Sequence, residues 1–364
     1  MKVLAYISGY DGCGYYRIQL PAKFLNKVKD THVKLATRYS KKDIDWADML
    51  VLQKQTNQKA LPFIQYAKQQ GKKIITEVDD DYFHIPVWNP AYKHYHNKGQ
   101  DLINFYKMSD AIVVTTPHLA QELSKYNPKT YALPNSLDIK MIERLQNMED
   151  VELTKHTQYL TVDQKTISLK EARERMSGKI VCGWGGSPTH KLDLDLTTDA
   201  LIQICSENKD VMLVMMACST DTLMKKINPD QMLLVKPVPI FMYSKVLASM
   251  EWDMGICPIV DNTFNRSKSN LKFLEFSINK IPCICSDVEN YAKTVTHGEN
   301  GLLAQNTTKS WYDNLKKLIN DVELRKVIGE NGYNLVREKY DIANNYKQWL
   351  EVYSNTLEEI EDKG

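Results

Sequence analysis

The sequence has no long hydrophobic run. Its longest uncharged apolar stretch, VMLVMMAC at 211–218, is far shorter than the roughly 20 residues a bilayer-spanning helix needs, so no integral membrane segment is expected. No secretory leader is expected. The opening MKVLAYIS has neither an extended apolar core nor a small-residue cleavage site, and it reads as a first β-strand. The expectation is a cytoplasmic protein that is not secreted, with peripheral attachment to a membrane surface left open. The seven cysteines form no CxxC pair. Cys182, Cys257, Cys283 and Cys285 sit inside apolar strand-like runs, which suits buried reduced thiols better than disulfides or a metal centre. There is no GxGxxG, no GK[ST] phosphate loop and no short-period repeat. Charge of one sign is not in excess either: 47 Lys+Arg against 45 Asp+Glu. Nothing sets an oligomeric state.

What is present is alternation. KVLAYIS leads into the glycine turn GYDGCGYYR and a helical stretch, and HVKLATRY, ADMLVLQ, KKIITEVDD, AIVVTT and YALPNSLD follow as short strands separated by helical segments. Residues 139–177 are polar and charged and read as an interdomain connection. The alternation then restarts with KIVCGWGG, VMLVMMA, DMGICPI, IPCICSD and GLLA. Strands alternating with helices predict parallel sheets built from βαβ units. At 364 residues there is material for two such domains, expected at 1–138 and 178–339. The architecture expected is α/β: two tandem Rossmann-like, doubly wound domains with ligands at the carboxyl ends of the strands in an interdomain cleft.

Gly12 and Gly14 follow the first strand of one domain, and Gly185 and Gly186 the first strand of the other. Glycine there lets backbone N–H groups approach a phosphate, although a tight turn with no ligand uses the same residues. The stretch RSKSNLKFLEFSIN concentrates Arg266, Lys268 and Lys272 at the start of a helix whose one acid is Glu275. Those cations suit a diphosphate, with Asn270 and Leu271 at the helix start. A carboxylate suits a ribose diol. The competing reading is a solvated basic loop and a Lys272–Glu275 pair worth about 0.2–0.5 kcal/mol. In EVDDDYFHIP, Asp79, Asp80 and Asp81 invite a metal, but no His or Cys set accompanies them and none is expected. Asp79 or Asp80, at a strand end, suits an acceptor group or a helix cap, and Asp80 is the candidate base should the chemistry need one.

SNLKFLEFSINKIPCICSDVENYAKTVTHGENGLLA resembles the C-terminal signature of GT-B glycosyltransferases, close to glycosyltransferase family 4 (group 1). YALPNSLD resembles the motif that closes the family's N-terminal domain, and VCGWGGSPTHK its first C-domain strand and phosphate loop. The resemblance implies transfer of a sugar from a UDP- or GDP-sugar donor to an acceptor hydroxyl, with retention of configuration and no cofactor. It also implies a C-terminal helix, within 340–364, crossing back to the N-terminal domain. It places Glu275 on the ribose, Ser267 where a donor-sugar Glu usually stands, and Trp184 where an Arg usually stands. Gly185, Gly186, Ser187, His190 and Lys191 fall in the phosphate loop, with Arg266 or Lys268 as replacements for the missing Arg and Lys272 on the diphosphate. The acceptor side then includes Gly12, Gly14, Tyr15, Arg17, Gln53, Lys54, Asp79, Asp80 and His118, with Gln53 or Lys54 where the family often has a His.

Residues 1–138 hold 19 Lys+Arg against 13 Asp+Glu, a net of +6. They also carry Tyr15, Tyr16, Tyr82, Phe83, Trp88, Tyr92 and Tyr95, read as an exposed aromatic surface. This suits a glycan or glycolipid acceptor; modified-base DNA is a further alternative. A nucleotide-sugar epimerase and a non-catalytic nucleotide-binding protein remain as rival classes.

Overall fold

The computed structural model describes residues 1–54 and 60–358. The chain divides into two compact units. One comprises residues 1–138, 266–269 and 340–364, and the other 139–265 and 270–339.

The first unit is built on a six-stranded parallel sheet: β1 (Lys2–Tyr6), β2 (His32–Ala36), β3 (Met49–Gln53), β4 (Lys73–Val78), β5 (Ala111–Val114) and β6 (Thr130–Ala132), in the order β2-β1-β3-β4-β5-β6. β3 and β5 are buried along their whole length, because helices cover both faces of a parallel sheet, and this is why they read as continuous apolar runs. Leu4, Tyr6, Leu50, Leu52, Ile64, Ile74 and Phe105 form one core on this sheet. The helix Leu61–Gln69 ends as its sequence suggests, with Gly71 at φ +69°, a backbone that glycine adopts without steric cost. Gly14 is held by packing instead: a Cβ there would lie 1.9 Å from the Gly9 carbonyl oxygen. The helix Ile342–Glu358 also belongs to this unit, with Trp349 fully buried. Residues 359–364 of the expected crossing segment lie outside the described residues.

The second unit carries an eight-stranded sheet in the order β14-β13-β12-β9-β10-β11-β7-β8. Its strands are β7 (Tyr159–Leu160), β8 (Thr166–Ile167), β9 (Ile180–Gly185), β10 (Val211–Met216), β11 (Met232–Val235), β12 (Met254–Cys257), β13 (Cys283–Ser286) and β14 (Leu302–Ala304). All pair in parallel except β7 and β8. Residues 139–177, expected as a connection, are instead folded into this unit. β7 pairs antiparallel with β11. The buried Lys245 ammonium donates to the carbonyls of Gln146 (3.2 Å) and Met148, capping the chain that leaves the helix Ile139–Gln146. Cys182, Cys257, Cys283 and Cys285 are buried free thiols. No helix among the described residues is long and apolar enough to cross a membrane.

Candidate active site

In the second unit, β9 ends at Gly185 and the chain turns through Gly186. The Lys272 ammonium donates to the Gly185 carbonyl at 2.7 Å and sits 5.9 Å from the centre of the Trp184 ring. Trp184, at the position where an Arg was anticipated, is fully buried. The turn has no room for side chains: a Cβ on Gly186 would lie 2.6 Å from the Trp184 ring and 3.2 Å from Lys272 Nζ. Lys272 and Glu275 share the short helix Leu271–Ser277, which begins after Asn270, and Glu275 is 7 % exposed. A carboxylate so buried acts as an acceptor of fixed position. Asn270 Nδ2 donates to Thr294 Oγ1 at 2.9 Å. The remaining loop residues are braced against their own unit. His190 Nδ1 lies 2.8 Å from Asp193 Oδ2, whose other oxygen accepts from the Val260 N–H (2.8 Å) and Asn265 Nδ2 (3.2 Å). Lys191 pairs with Asp221 at 2.9 Å, and Ser187 Oγ is 2.6 Å from Thr189 Oγ1.

In the first unit, a second polar group stands at the carboxyl edge of its sheet. Lys54 directly follows β3 with φ +51°, a left-handed backbone that a non-glycine residue adopts at a cost. Its ammonium meets Asp79 Oδ2 at 2.8 Å, and Tyr82 Oη donates to Asp79 Oδ1 at 2.5 Å. Burial opposes ionisation of Asp79, but Lys54, with hydrogen bonds from Cys13 and Tyr82, outweighs it and holds the carboxyl down at about 2. Lys54 is shifted in the opposite sense, upwards: burial works against its charge and Asp79 overrides it. Asp80 pairs with Lys268 at 2.9 Å, and the Asp80 charge, acting against burial, keeps that lysine raised. Asp81 is buried and accepts from His84 Nδ1 (2.7 Å) and the Phe83 N–H (3.1 Å). Each of the three aspartates is thus engaged by protein partners. Among the described residues, no group of three or more His, Cys, Asp or Glu is placed to hold a metal ion.

The basic run of the sequence is split by the fold. Asn270, Leu271, Lys272 and Glu275 belong to the second unit, whereas residues 266–269 group with the first. There Ser267 is fully buried with its carbonyl on Thr116 Oγ1 (3.0 Å), and Ser269 Oγ accepts from Asn135 Nδ2 (2.9 Å). Arg266 is exposed at the end of the helix Thr263–Arg266.

Arg17, expected at an acceptor surface, is 1 % exposed. Its Nε meets Glu77 Oε1 at 2.6 Å, and its two terminal nitrogens donate to the carbonyls of Leu133 (2.6 Å) and Val114 (3.2 Å) and to Asn135 Oδ1 (3.1 Å). Its guanidinium also lies 5.5 Å from the Trp349 ring centre. Burial pushes Glu77 up to about 7 against the pull of Arg17. Gln53 is buried, with Oε1 accepting from the Ser8 N–H (3.0 Å) and Ser8 Oγ (3.1 Å). Gly12 and Gly14 shape the turn after β1, where Asp11 Oδ1 accepts from the Gly14 N–H at 2.8 Å. Tyr15 packs edge-on against Tyr16 (5.0 Å), and His118 is half-buried in the first turn of the helix Pro117–Ser124. The aromatic surface needs correction. Tyr16 and Tyr82 are buried, Tyr15, Phe83, Tyr92 and Tyr95 are half-buried, Tyr82 stacks on Tyr95 at 4.4 Å, and Trp88, at 55 %, is exposed.

Sequence reasoning missed two pairings. Lys54–Asp79 joins the ends of two strands 25 residues apart, and Arg17–Glu77 spans 60 residues. Neither carries a local signal, since each pairing exists only once the sheet order is fixed.

Two doubly wound units in tandem, with a glycine turn, a lysine and a buried carboxylate at the carboxyl edge of the second, form the GT-B architecture. Within it, residues 271–335, which include Lys272 and Glu275, match the family model described as "Glycosyl transferases group 1". The capsular polysaccharide biosynthesis glycosyltransferase CapM of Staphylococcus aureus is 31 % identical over 91 residues. That alignment spans 25 % of this chain and 24 % of CapM, so about a quarter of the curated relative is matched. Anabaena HepE, solved with UDP and glucose, has a TM-score of 0.68 at 12 % identity, covering 98 % of this chain and 100 % of HepE. Sucrose-phosphate synthase from Thermosynechococcus elongatus has a TM-score of 0.66 at 12 % identity, covering 98 % and 99 %. These two likenesses establish the fold.

Proposed function

We propose that the protein is a glycosyltransferase that moves a sugar from a nucleotide-diphosphate donor to an acceptor hydroxyl. The observation that carries this reading is the pairing of Lys272, on the Gly185 carbonyl, with the buried Glu275 one turn later, inside the segment that matches the group 1 model. An ammonium at a glycine turn suits a diphosphate, and a fixed carboxylate suits the ribose hydroxyls. The donor is a UDP- or GDP-sugar; HepE was solved with UDP. The acceptor is a glycan or glycolipid, in keeping with the naming of CapM for capsular polysaccharide biosynthesis.

The chemistry proposed is retaining and independent of metal. The donor's leaving diphosphate takes the acceptor proton, and the protein supplies positioning and positive charge. Two features support this. Asp79 is held at about 2, a weak base at neutral pH, and Asp80 carries Lys268 on its carboxylate. Asp80 then orients an acceptor hydroxyl and removes no proton.

Incubation with UDP- and GDP-sugars in EDTA, with glycan and glycolipid acceptors, tests the whole reading. Product with the donor's anomeric configuration, read from the anomeric proton by NMR, is expected. An inverted product would overturn the mechanism, and activity lost in EDTA and restored by a divalent ion would overturn metal independence. Interconversion of the donor into its epimer without transfer would assign the protein to the epimerases instead.

A further inference from the structure

Tyr243 lies on the helix Ile240–Ser249, in none of the motifs considered above. Its hydroxyl occupies the space that a side chain on Gly185 would fill: a Cβ built there would be 2.7 Å from Tyr243 Oη. The carbonyl of the same Gly185 receives Lys272 Nζ. Burial first, and the Glu275 charge second, push the phenol well above its ordinary value. The hydroxyl therefore keeps its proton at neutral pH. Tyr243 and Lys272, from two helices, thus meet at one glycine turn, and Glu275 follows Lys272 by one turn of its helix.

A carboxylate only accepts hydrogen bonds, whereas each hydroxyl of a vicinal diol both donates and accepts. Glu275 alone leaves the diol's acceptor lone pairs unmatched. A protonated phenol beside it supplies the missing donor. We propose that Tyr243 is a specificity-determining residue, its Oη acting with the Glu275 carboxylate to hold the ribose diol, so that the site selects ribonucleotides. The inference deepens the reading of Glu275 given above and rests on it. A site built to hydrogen-bond a hydroxyl rejects the analogue that lacks it, because its own polar groups are then left unpaired.

Calorimetric titration of wild type and Tyr243→Phe with UDP and 2′,3′-dideoxy-UDP tests this, with GDP and its dideoxy analogue used if guanine is the base bound. The wild type should bind the ribonucleotide at least about tenfold more tightly than the dideoxy form. Tyr243→Phe, with an unchanged melting temperature, should lose about tenfold in affinity for the ribonucleotide and stay within about twofold for the dideoxy form. Equal loss for both nucleotides would assign Tyr243 to packing and overturn the proposal, as would unchanged ribonucleotide binding. If Glu275→Gln weakens ribonucleotide binding while Tyr243→Phe does not, the failure belongs to Tyr243 alone. If the wild type binds neither UDP nor GDP, the nucleotide reading falls and this inference with it.

Discussion

At the residue scale, two side chains separate what the site does from what holds it. Lys272, the cation proposed for the donor's diphosphate, has its ammonium on the glycine turn after β9. Lys272→Ala should therefore abolish turnover and weaken UDP far more than uridine; equal weakening of both would make its role structural. Asp79 is an anchor. Its carboxyl is depressed from 3.8 to about 2 by Lys54 against burial. The resulting stabilisation is fully present above the unfolded value and is lost as pH falls through about 4 towards 2. Urea unfolding of the wild type between pH 5 and 2 should show a loss of about 2 kcal/mol from this group. Asp79→Asn should lack that component, at a baseline lower by about 3–5 kcal/mol because Lys54 is left buried without its partner. A variant that keeps the acid loss would remove Asp79 as its source. That Lys272 and Glu275 share one helix was legible, because spacing within a helix reads directly from sequence. The partners of Asp79 and Arg17 were not, because an ion pair across 25 or 60 residues depends on which strands become neighbours.

At the element scale, most strands of both sheets were legible for a simple physical reason. The central ones, buried on two faces, appear as short uninterrupted apolar runs such as VMLVMM. β11 (Met232–Val235) is a run of the same kind and was not read as a strand. β7 and β8, of two residues each, leave no such trace, and the segment around them was read as a connection although it extends the second sheet. Of the aromatics of 82–95, Tyr82 was misjudged: it is buried against Tyr95, and a sequence does not reveal which face of a loop aromatic is covered. Arg17 ties elements together: one guanidinium reaches Glu77 in β4, Val114 in β5, Leu133 and Asn135 beyond β6, and the face of Trp349 in the C-terminal helix. Arg17→Ala removes the partner of the buried Glu77 carboxyl and the donor on the Leu133 carbonyl and Asn135 Oδ1, while the Val114 carbonyl keeps the Leu133 N–H at 2.8 Å. The cost should be about 3–5 kcal/mol, read from urea unfolding followed by tryptophan fluorescence. A loss below about 1 kcal/mol would show that the staple is dispensable.

At the scale of the whole molecule, the chain makes two parallel α/β units and returns its last helix to the first. That plan was legible because alternation of strand and helix fixes the class of fold. The segment that matches the group 1 model lies entirely at 271–335, within the second unit. An acceptor leaves no comparable mark, since the net charge of +6 on residues 1–138 suits several anionic or polar partners alike. The central claim is that the second unit binds a nucleotide diphosphate through Glu275. Its most direct test is calorimetric titration of UDP and GDP into the wild type and Glu275→Gln. One of the two nucleotides should bind the wild type with unit stoichiometry, and Glu275→Gln should weaken it by about 1–3 kcal/mol, the scale of a charge-assisted hydrogen bond. Failure of both nucleotides to bind, or equal affinity for the variant, would contradict the claim.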